Sequence, residues 1–301
     1  MQSLPFAQPG RFYKGNLHTH STRSDGTLEP AAVLAAYRER GYDFVALTDH
    51  FTPRYDFPVV DTRQWRTPAF TTLLGAELHA PQLENGEIWH ILAIGLPTDF
   101  APTAQAETGP QLAARAAAAG AFVAIAHPAW YGLTQADARS LEAAHAVEVY
   151  NTGCAVESER GESWELADIL LNQGRRLLAC ATDDAHFHDW RDTFGGWVLV
   201  RAASLDPDAL LAALHAGHFY SSQGPELHDI AIEGDQLRIA CSPVRSIHLQ
   251  AQGSFSRATF ATDATPLHEA TFALPAQRRF CRVTIVGQHG KRAWSNPIWL
   301  D

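Results

Sequence analysis

The feature that most restricts the fold of this chain is an alternation, from residue 16 to about 222, between short apolar runs and helical patterns. The segments "FVALTDH", "LLGAEL", "IWHILAIGL", "AFVAIAH", "AVEVYN", "RLLACATDDAH" and "GGWVLV" have the length and apolar density of buried strands. Between several of them lie "GPQLAARAAAAG", "TQADARSLEAA", "SWELADILLNQG" and "DPDALLAALHAG", with apolar residues at helical spacing. "TLEPAAVLAAYRERG" reads as a further helix: Thr27 is the expected N-cap, Pro30 sits in the first turn, Val33, Ala36 and Tyr37 share a face, and Gly41 is the stop. Strands alternating with helices form parallel β/α units. So many units predict an α/β barrel rather than an open sheet.

After about Pro225 the pattern changes. Seven short runs with period-two alternation follow, from "LHDIAIEG" to "RAWSNPIWL", with turn residues between them. They predict a small all-β, immunoglobulin-like sandwich, without the buried-tryptophan or tyrosine-corner signature of antibody domains. The expected division is therefore 1–222 for the barrel and 223–301 for the β domain.

Composition narrows the function classes. A formal net charge of −10 argues against a nucleic-acid scaffold working by phosphate neutralisation, while 15 histidines in an acidic chain suit bound divalent cations. Cys154, Cys180, Cys241 and Cys281 show no C-x-x-C spacing. They read as reduced, packed thiols of a cytoplasmic protein, even though Cys241 and Cys281 fall where a sandwich could bring them together. "MQSLPFAQPGRFYKG" has no basic region followed by an apolar one, and no run has transmembrane length. No leader and no membrane partner are expected.

The ends of the strand runs are the informative positions. His18 and His20, in "NLHTHSTRSDG", point to one face of a strand, and imidazole is the commonest metal-ligating side chain. Later runs end in Asp49 and His50, in His127, and in Asp183, Asp184 and His186, while "GAEL" carries Glu77 and "WHILAIG" contains His90. Active sites of β/α barrels form at these strand ends, and imidazoles with carboxylates are ligands for Zn²⁺, Mn²⁺ or Fe²⁺. Each residue alone has an ordinary reading: Asp49 as a helix cap, Glu77 paired with an arginine, His90 as a core histidine. Together they point to a multinuclear metal site, because buried charges do not accumulate without a partner.

The motifs "HTHSTRSDG", "LTDH", "GAEL", "WHILAIG", "AHP" and "DDAH", spread from Asn16 to His186, resemble the PHP (polymerase and histidinol phosphatase) family of metal-dependent phosphoesterases. The ending "GKRAWSNPIWL" resembles the carbaryl-hydrolase-like subgroup, which carries a C-terminal β domain and includes carbamate and ester hydrolases. The resemblance implies a distorted, TIM-like (β/α)7 barrel with two to three divalent transition metals (Mn²⁺, Zn²⁺ or Fe²⁺). Carried over residue by residue, His18, His20, Glu77 and Asp184 would hold the first metal. Glu77 would bridge to a second, held by His90 and His127, and Asp25, His50 and His186 would hold a third. One family pattern has histidine where Asp25 stands. A carboxylate is the harder, charged ligand, which leaves the third metal's identity and occupancy open.

The activity so implied is hydrolysis of small phosphate mono- or diesters by a metal-bridging hydroxide, with Glu77 and Asp184 at the catalytic centre and no serine or cysteine nucleophile. Asp49 and Asp183 adjoin ligands and either orient imidazoles or serve as caps and ion-pair partners. Asn151 ends the sixth strand run at the site rim. Arg191 and Arg23 are candidate phosphate clamps or solvated side chains, and His79 and His188 are candidate proton donors to the leaving group or fill space. Two other readings stand beside this one: a carbamate or carboxylic ester metallohydrolase using the same site, and an inactive metal-binding module, against which the intact ligand set argues. The expected partner is a small-molecule phosphate ester.

Overall fold

The computed structural model describes residues 4–262 and 265–301. The first three residues of the stretch read above for a leader, and Asp263 at the end of the fourth C-terminal run, lie outside the described residues.

Strand β1 (Arg11–Asn16) is followed by helix α1 (Pro30–Glu39) and by β2 (Phe44–Leu47), which pairs parallel to β1. Pro30 suits the first helical turn, where its missing N–H would have had no partner, and Val33, Leu34 and Tyr37 form the buried face. The cap differs from expectation. Glu29 occupies the N-cap position, and Thr27 Oγ1 donates to the Phe187 carbonyl at 2.8 Å, tying this loop to a distant one.

Next come β3 (His50–Phe51), β4 (Thr71–Ala80), β5 (Trp89–Ile94), α2 (Gly109–Ala118), β6 (Phe122–Ile125), α3 (Gln135–Ser140), β7 (Ala146–Asn151), α4 (Thr152–Ser158), α5 (Trp164–Asn172) and β8 (Leu178–Thr182). A capping box of Thr108 and Gln111 starts α2. Helix α3 stops at Ser140, short of the run that predicted it, and α4 has no counterpart in the sequence reading. The uniformly parallel arrangement expected is corrected at two strands. β5 is antiparallel to both β4 and β6, and β9 (Trp197–Ala202) is antiparallel to β1. Residues 81–88 are too few for the crossover that a parallel β4–β5 pair requires.

The chain continues through α6 (Pro207–His215), β10 (Phe219–Ser222), β11 (Leu227–Glu233), β12 (Gln236–Val244), β13 (Ser246–Ala251), β14 (Ser256–Phe260), β15 (Leu267–Ala273), β16 (Phe280–Val286), β17 (Arg292–Ser295) and β18 (Ile298–Trp299). One mixed sheet runs β14-β13-β16-β17-β10-β9-β1-β2-β4-β5-β6-β7-β8, with β3 on β4 and β18 on β16. A second, three-stranded sheet runs β11-β12-β15. The two layers enclose Leu237, Ile239, Ile247, Leu249, Val283 and Ile285. The large sheet passes through residue 222 without a break, because β10 pairs with β9 on one side and β17 on the other.

Central strands are buried on both faces: Leu78, Ile91 and Val147 belong to one apolar cluster, and Phe44, Leu92 and Ala146 to another. Beyond β1 and β8 the two chain segments meet. Thr19 bridges Ala185 in parallel, His20 N–H donates to the Ala185 carbonyl at 2.9 Å, and Asp184 N–H donates to the His18 carbonyl at 2.9 Å. Among the described residues, no helix is long and apolar enough to cross a membrane.

Candidate metal centre

The backbone bonds around Thr19 hold His18 and His20 on one side of the extended segment, their rings 5.2 Å apart. The loop after them is shaped by Asp49. Its Oδ1 accepts from Ser21 N–H and Ser24 Oγ, both at 2.7 Å, and its Oδ2 from Ser21 Oγ at 2.8 Å. Gly26 ends the loop where a Cβ would stand 2.7 Å from the His20 carbonyl, so only glycine permits the approach. This turn returns Asp25 to 3.3 Å from His50 Nε2 and 3.5 Å from His186 Nε2.

Glu77, on β4, is fully buried at the centre. Its Oε1 lies 2.8 Å from His90 Nδ1 and 3.0 Å from His127 Nε2; its Oε2 lies 2.5 Å from His50 Nδ1 and 3.7 Å from Nε2 of both His18 and His20. Asp184 follows β8 with φ of 56°, a left-handed conformation rare outside glycine. That turn places Oδ1 2.9 Å from His20 Nε2 and 3.1 Å from His18 Nε2. In all, seven imidazoles and three carboxylates form overlapping groups whose ligand atoms lie within 4.8 Å of one another. The structure brings together all nine residues carried over as ligands, namely His18, His20, Asp25, His50, Glu77, His90, His127, Asp184 and His186, and adds His79.

The electrostatics follow from crowding. Burial would raise the Glu77 carboxyl, yet His50, His90 and His79 hold it well below the usual carboxylate range. Burial opposes protonation of His50, but Glu77 and Asp25 raise it to about 10. His20 is lowered to about 3 by burial and by the neighbouring His186 and His50. His90, chiefly through burial, falls to about 4. His18 Nε2 and Glu77 Oε2 are buried and close to Asp184 Oδ1 and His50 Nδ1 but make no aligned hydrogen bond, an arrangement costly unless something else satisfies them. A cluster of imidazole nitrogens and carboxylate oxygens with such orphaned atoms fits divalent transition metals.

Two side chains at the cluster were not foreseen. Glu148, fully buried on β7, accepts from His18 Nδ1 at 2.9 Å, from His127 N–H at 2.6 Å, from Asn151 Nδ2 at 3.0 Å and from Thr182 Oγ1. The signal was present: a lone acid within the apolar run "AVEVYN". Trp130, 38% exposed, lies with its ring plane roughly perpendicular to those of His90 and His127 at ring distances of 5.5 and 5.2 Å.

Several expected roles need correction. Neither Asp49 nor Asp183 hydrogen-bonds an imidazole; Glu148 does that work on His18. Asp183 accepts from Tyr37 OH, from Thr152 Oγ1 and from the N–H groups of Phe194, Gly195 and Gly196, while burial still pushes its carboxyl up to about 6. Asn151 does not face an open rim: its amide donates to Glu148 and to Asp184 Oδ2 at 3.1 Å, and its oxygen caps α4 through Cys154 N–H. Arg191 is exposed and paired with Asp189, and Arg23 is exposed and outside the cavity wall. His79 donates from Nδ1 to the Trp89 carbonyl at 3.0 Å and directs Nε2 to His50 Nδ1 at 2.9 Å. It thereby joins His50 and Glu77 in one candidate ligand group. His188 is exposed, with its ring 5.9 Å from that of His186. All four cysteines are buried and free.

No protein-family model matches the chain, and no curated protein matches it. A solved structure from Bacteroides vulgatus, described as a two-domain protein containing a predicted PHP-like metal-dependent phosphoesterase, is similar at 15% identity and a TM-score of 0.54, covering 97% of this chain and 89% of that one. An amidohydrolase from Chromobacterium violaceum shares 15% identity at a TM-score of 0.41, over 57% of this chain and 87% of that one. The first likeness shows the fold alone, and the second is too slight to build on.

Proposed function

We propose that this chain is a metal-dependent hydrolase of the PHP family, close to the carbaryl-hydrolase-like subgroup, that cleaves small phosphate esters. The observation that carries this reading is the set of nine nitrogen- and oxygen-bearing side chains gathered around the buried Glu77. In this reading residues 1–222 form a distorted β/α barrel, and residues 223–301 an immunoglobulin-like unit that shares the large sheet with it.

His18, His20, Glu77 and Asp184 would hold one metal, Glu77, His90 and His127 a second, and Asp25, His50 and His186 a third. When bound, about two to three such ions supply Lewis acidity and make water acidic enough to act as a nucleophile near neutral pH. The protein's own contribution is placement. Glu148 fixes the His18 ring, Asn151 aligns Asp184, and Asp49 shapes the loop that returns Asp25. Cys154 lies with Sγ 4.0 Å from Asp184 Oδ2, and burial pushes its thiol far up, so it is no nucleophile. Four buried, free thiols accord with a cytoplasmic setting.

A second reading, hydrolysis of carbamate or carboxylic esters, draws support from one observation: among the described residues lining the cavity there is no lysine or arginine. Metal analysis with matched aryl phosphate and aryl ester substrates tests both. The phosphoesterase reading expects about two or more transition-metal ions per chain and a higher kcat/KM for the phosphate. Less than about one ion after metal-replete expression defeats the metal assignment, and a clear advantage for the ester defeats the choice of phosphorus.

A further inference from the structure

We propose that the preferred substrate is a phosphodiester bearing a flat apolar group seated against Trp130, in preference to a phosphate monoester. The inference rests on the phosphoesterase reading and adds the substrate class. It starts from a cavity of about 180 Å³ whose inner wall is His50, His90, His127 and Asp184 and whose outer wall includes Trp130 and Glu157. Sites for drug-sized ligands run to several hundred Å³, so this one suits a phosphoryl group and roughly one ring.

The charge of the outer wall selects against a dianion. No lysine or arginine is among the described lining residues, and Glu157 contributes a carboxylate. A monoester carries close to two negative charges near pH 7, and a diester one. Beyond the histidine cluster that would hold the metals, no guanidinium or ammonium lines the cavity, so charge that the metal centre does not take up meets Glu157, a like-charge approach that costs binding. The same repulsion favours departure of the monoester product.

Trp130 supplies the apolar surface. Its ring plane is roughly perpendicular to those of His90 and His127, with interplanar angles of 75° and 83°. The backbone is fixed at both ends: Trp130 N–H donates to the His127 carbonyl at 2.9 Å, and its carbonyl accepts from Arg160 Nη1 at 3.2 Å. An indole packed against His90, His127 and Tyr131, and still 38% exposed, offers free apolar area on which a flat group can stack. In the reaction, water attacks phosphorus, the bond from phosphorus to one ester oxygen breaks, and the proton released by water ends on the departing alcohol or phenol. The products are a monoester and that alcohol or phenol.

The test uses the full chain, metal-replete, with bis(p-nitrophenyl) phosphate and p-nitrophenyl phosphate, which share a leaving group. The expected result is a kcat/KM at least about tenfold higher for the diester, since each tenfold step needs only ~1.4 kcal/mol. E157Q should narrow that gap by raising the monoester value. W130A should raise the diester KM about tenfold, the scale of one ring stacked on an aromatic side chain, and W130F should restore it to within about threefold. Calorimetric binding of diphenyl phosphate to the metal-loaded wild type, W130A and W130F should follow the same order. A monoester preference in the wild type, or equal diphenyl phosphate affinity in wild type and W130A, overturns the inference. If no phosphate ester is cleaved while binding still depends on Trp130, the phosphoesterase reading fails and the aromatic subsite stands.

Discussion

Glu148→Gln changes one atom, and the structure specifies what must follow. Oε2 accepts two N–H groups, from His127 and from the Asn151 amide, and Asn151 cannot reverse because its own oxygen caps Cys154 N–H. The glutamine oxygen must therefore take that side, leaving its NH2 toward His18 Nδ1 and Thr182 Oγ1, where Glu148 Oε1 now accepts. Thr182 can rotate to accept; His18 can accept only by moving its proton to Nε2. Nε2 is the atom 3.1 Å from Asp184 Oδ1, within the first ligand group. In the metal-free protein burial opposes a proton on His18, but Asp184 and Glu148 raise it well above the ordinary imidazole value, so on metal uptake the wild type would release the Nε2 proton and keep Nδ1–H on Glu148. The glutamine variant reverses that preference. Loss of such an orienting partner costs about 10- to 100-fold in metal affinity, or ~1.4–2.7 kcal/mol. Exchanging charge-assisted hydrogen bonds for neutral ones costs about 2 kcal/mol of fold stability. Competitive metal titration gives the affinity, and nitrogen-15 NMR of the zinc-loaded protein gives the tautomer. A dissociation constant within about threefold of wild type, in a folded variant, refutes the argument.

Glu77→Gln should lower bound metal and activity more than Asp25→Asn, because Glu77 is fully buried and touches His50, His90 and His127, whereas the Asp25 side chain is 42% exposed and lies at the edge of one group; equal metal content in the two variants would count against a shared, central Glu77. Arg282→Ala should destabilise the fold by about 2 kcal/mol in urea unfolding, since the guanidinium donates to both Asp168 oxygens at 3.0 and 2.7 Å and lies 4.0 Å over the Trp164 ring; a midpoint change under ~0.5 kcal/mol would show that the pair does not tie β16 to α5. Arg115 holds the Glu107 carboxyl below its usual range through hydrogen bonds at 2.8 and 2.9 Å, so the stabilisation is complete above the ordinary glutamate value and is lost as pH falls through the depressed one. Glu107→Gln should accordingly cost about 0.5 kcal/mol near pH 7 and nothing at a pH below the depressed value, as followed by thermal unfolding across pH; a difference that persists in acid would mean the effect is not electrostatic.

Local chemistry made much of this protein legible from its sequence. Apolar runs of strand length are self-reporting, so β2, β4–β9 and the C-terminal strands fall where patterning put them. Imidazoles and carboxylates at the ends of such runs are equally visible, because nothing but a partner makes charge tolerable there. Strand direction was not legible. That β5 runs antiparallel depends on the short 81–88 connection and on which neighbours it meets, and β10 joining the two parts into one sheet is a pairing across some seventy positions of chain. The roles of polar residues near the ligands were the least local of all. Asp49, Asp183, Asn151 and Glu148 look alike in sequence, each a polar group in or beside a buried run. Only the fold decides that Glu148 faces His18 across 130 positions of chain while Asp183 faces Tyr37 and three backbone N–H groups. A side chain's type and its likely depth follow from its immediate neighbours in the chain, but a hydrogen bond needs a particular partner at about 2.9 Å, and that partner is chosen by tertiary packing.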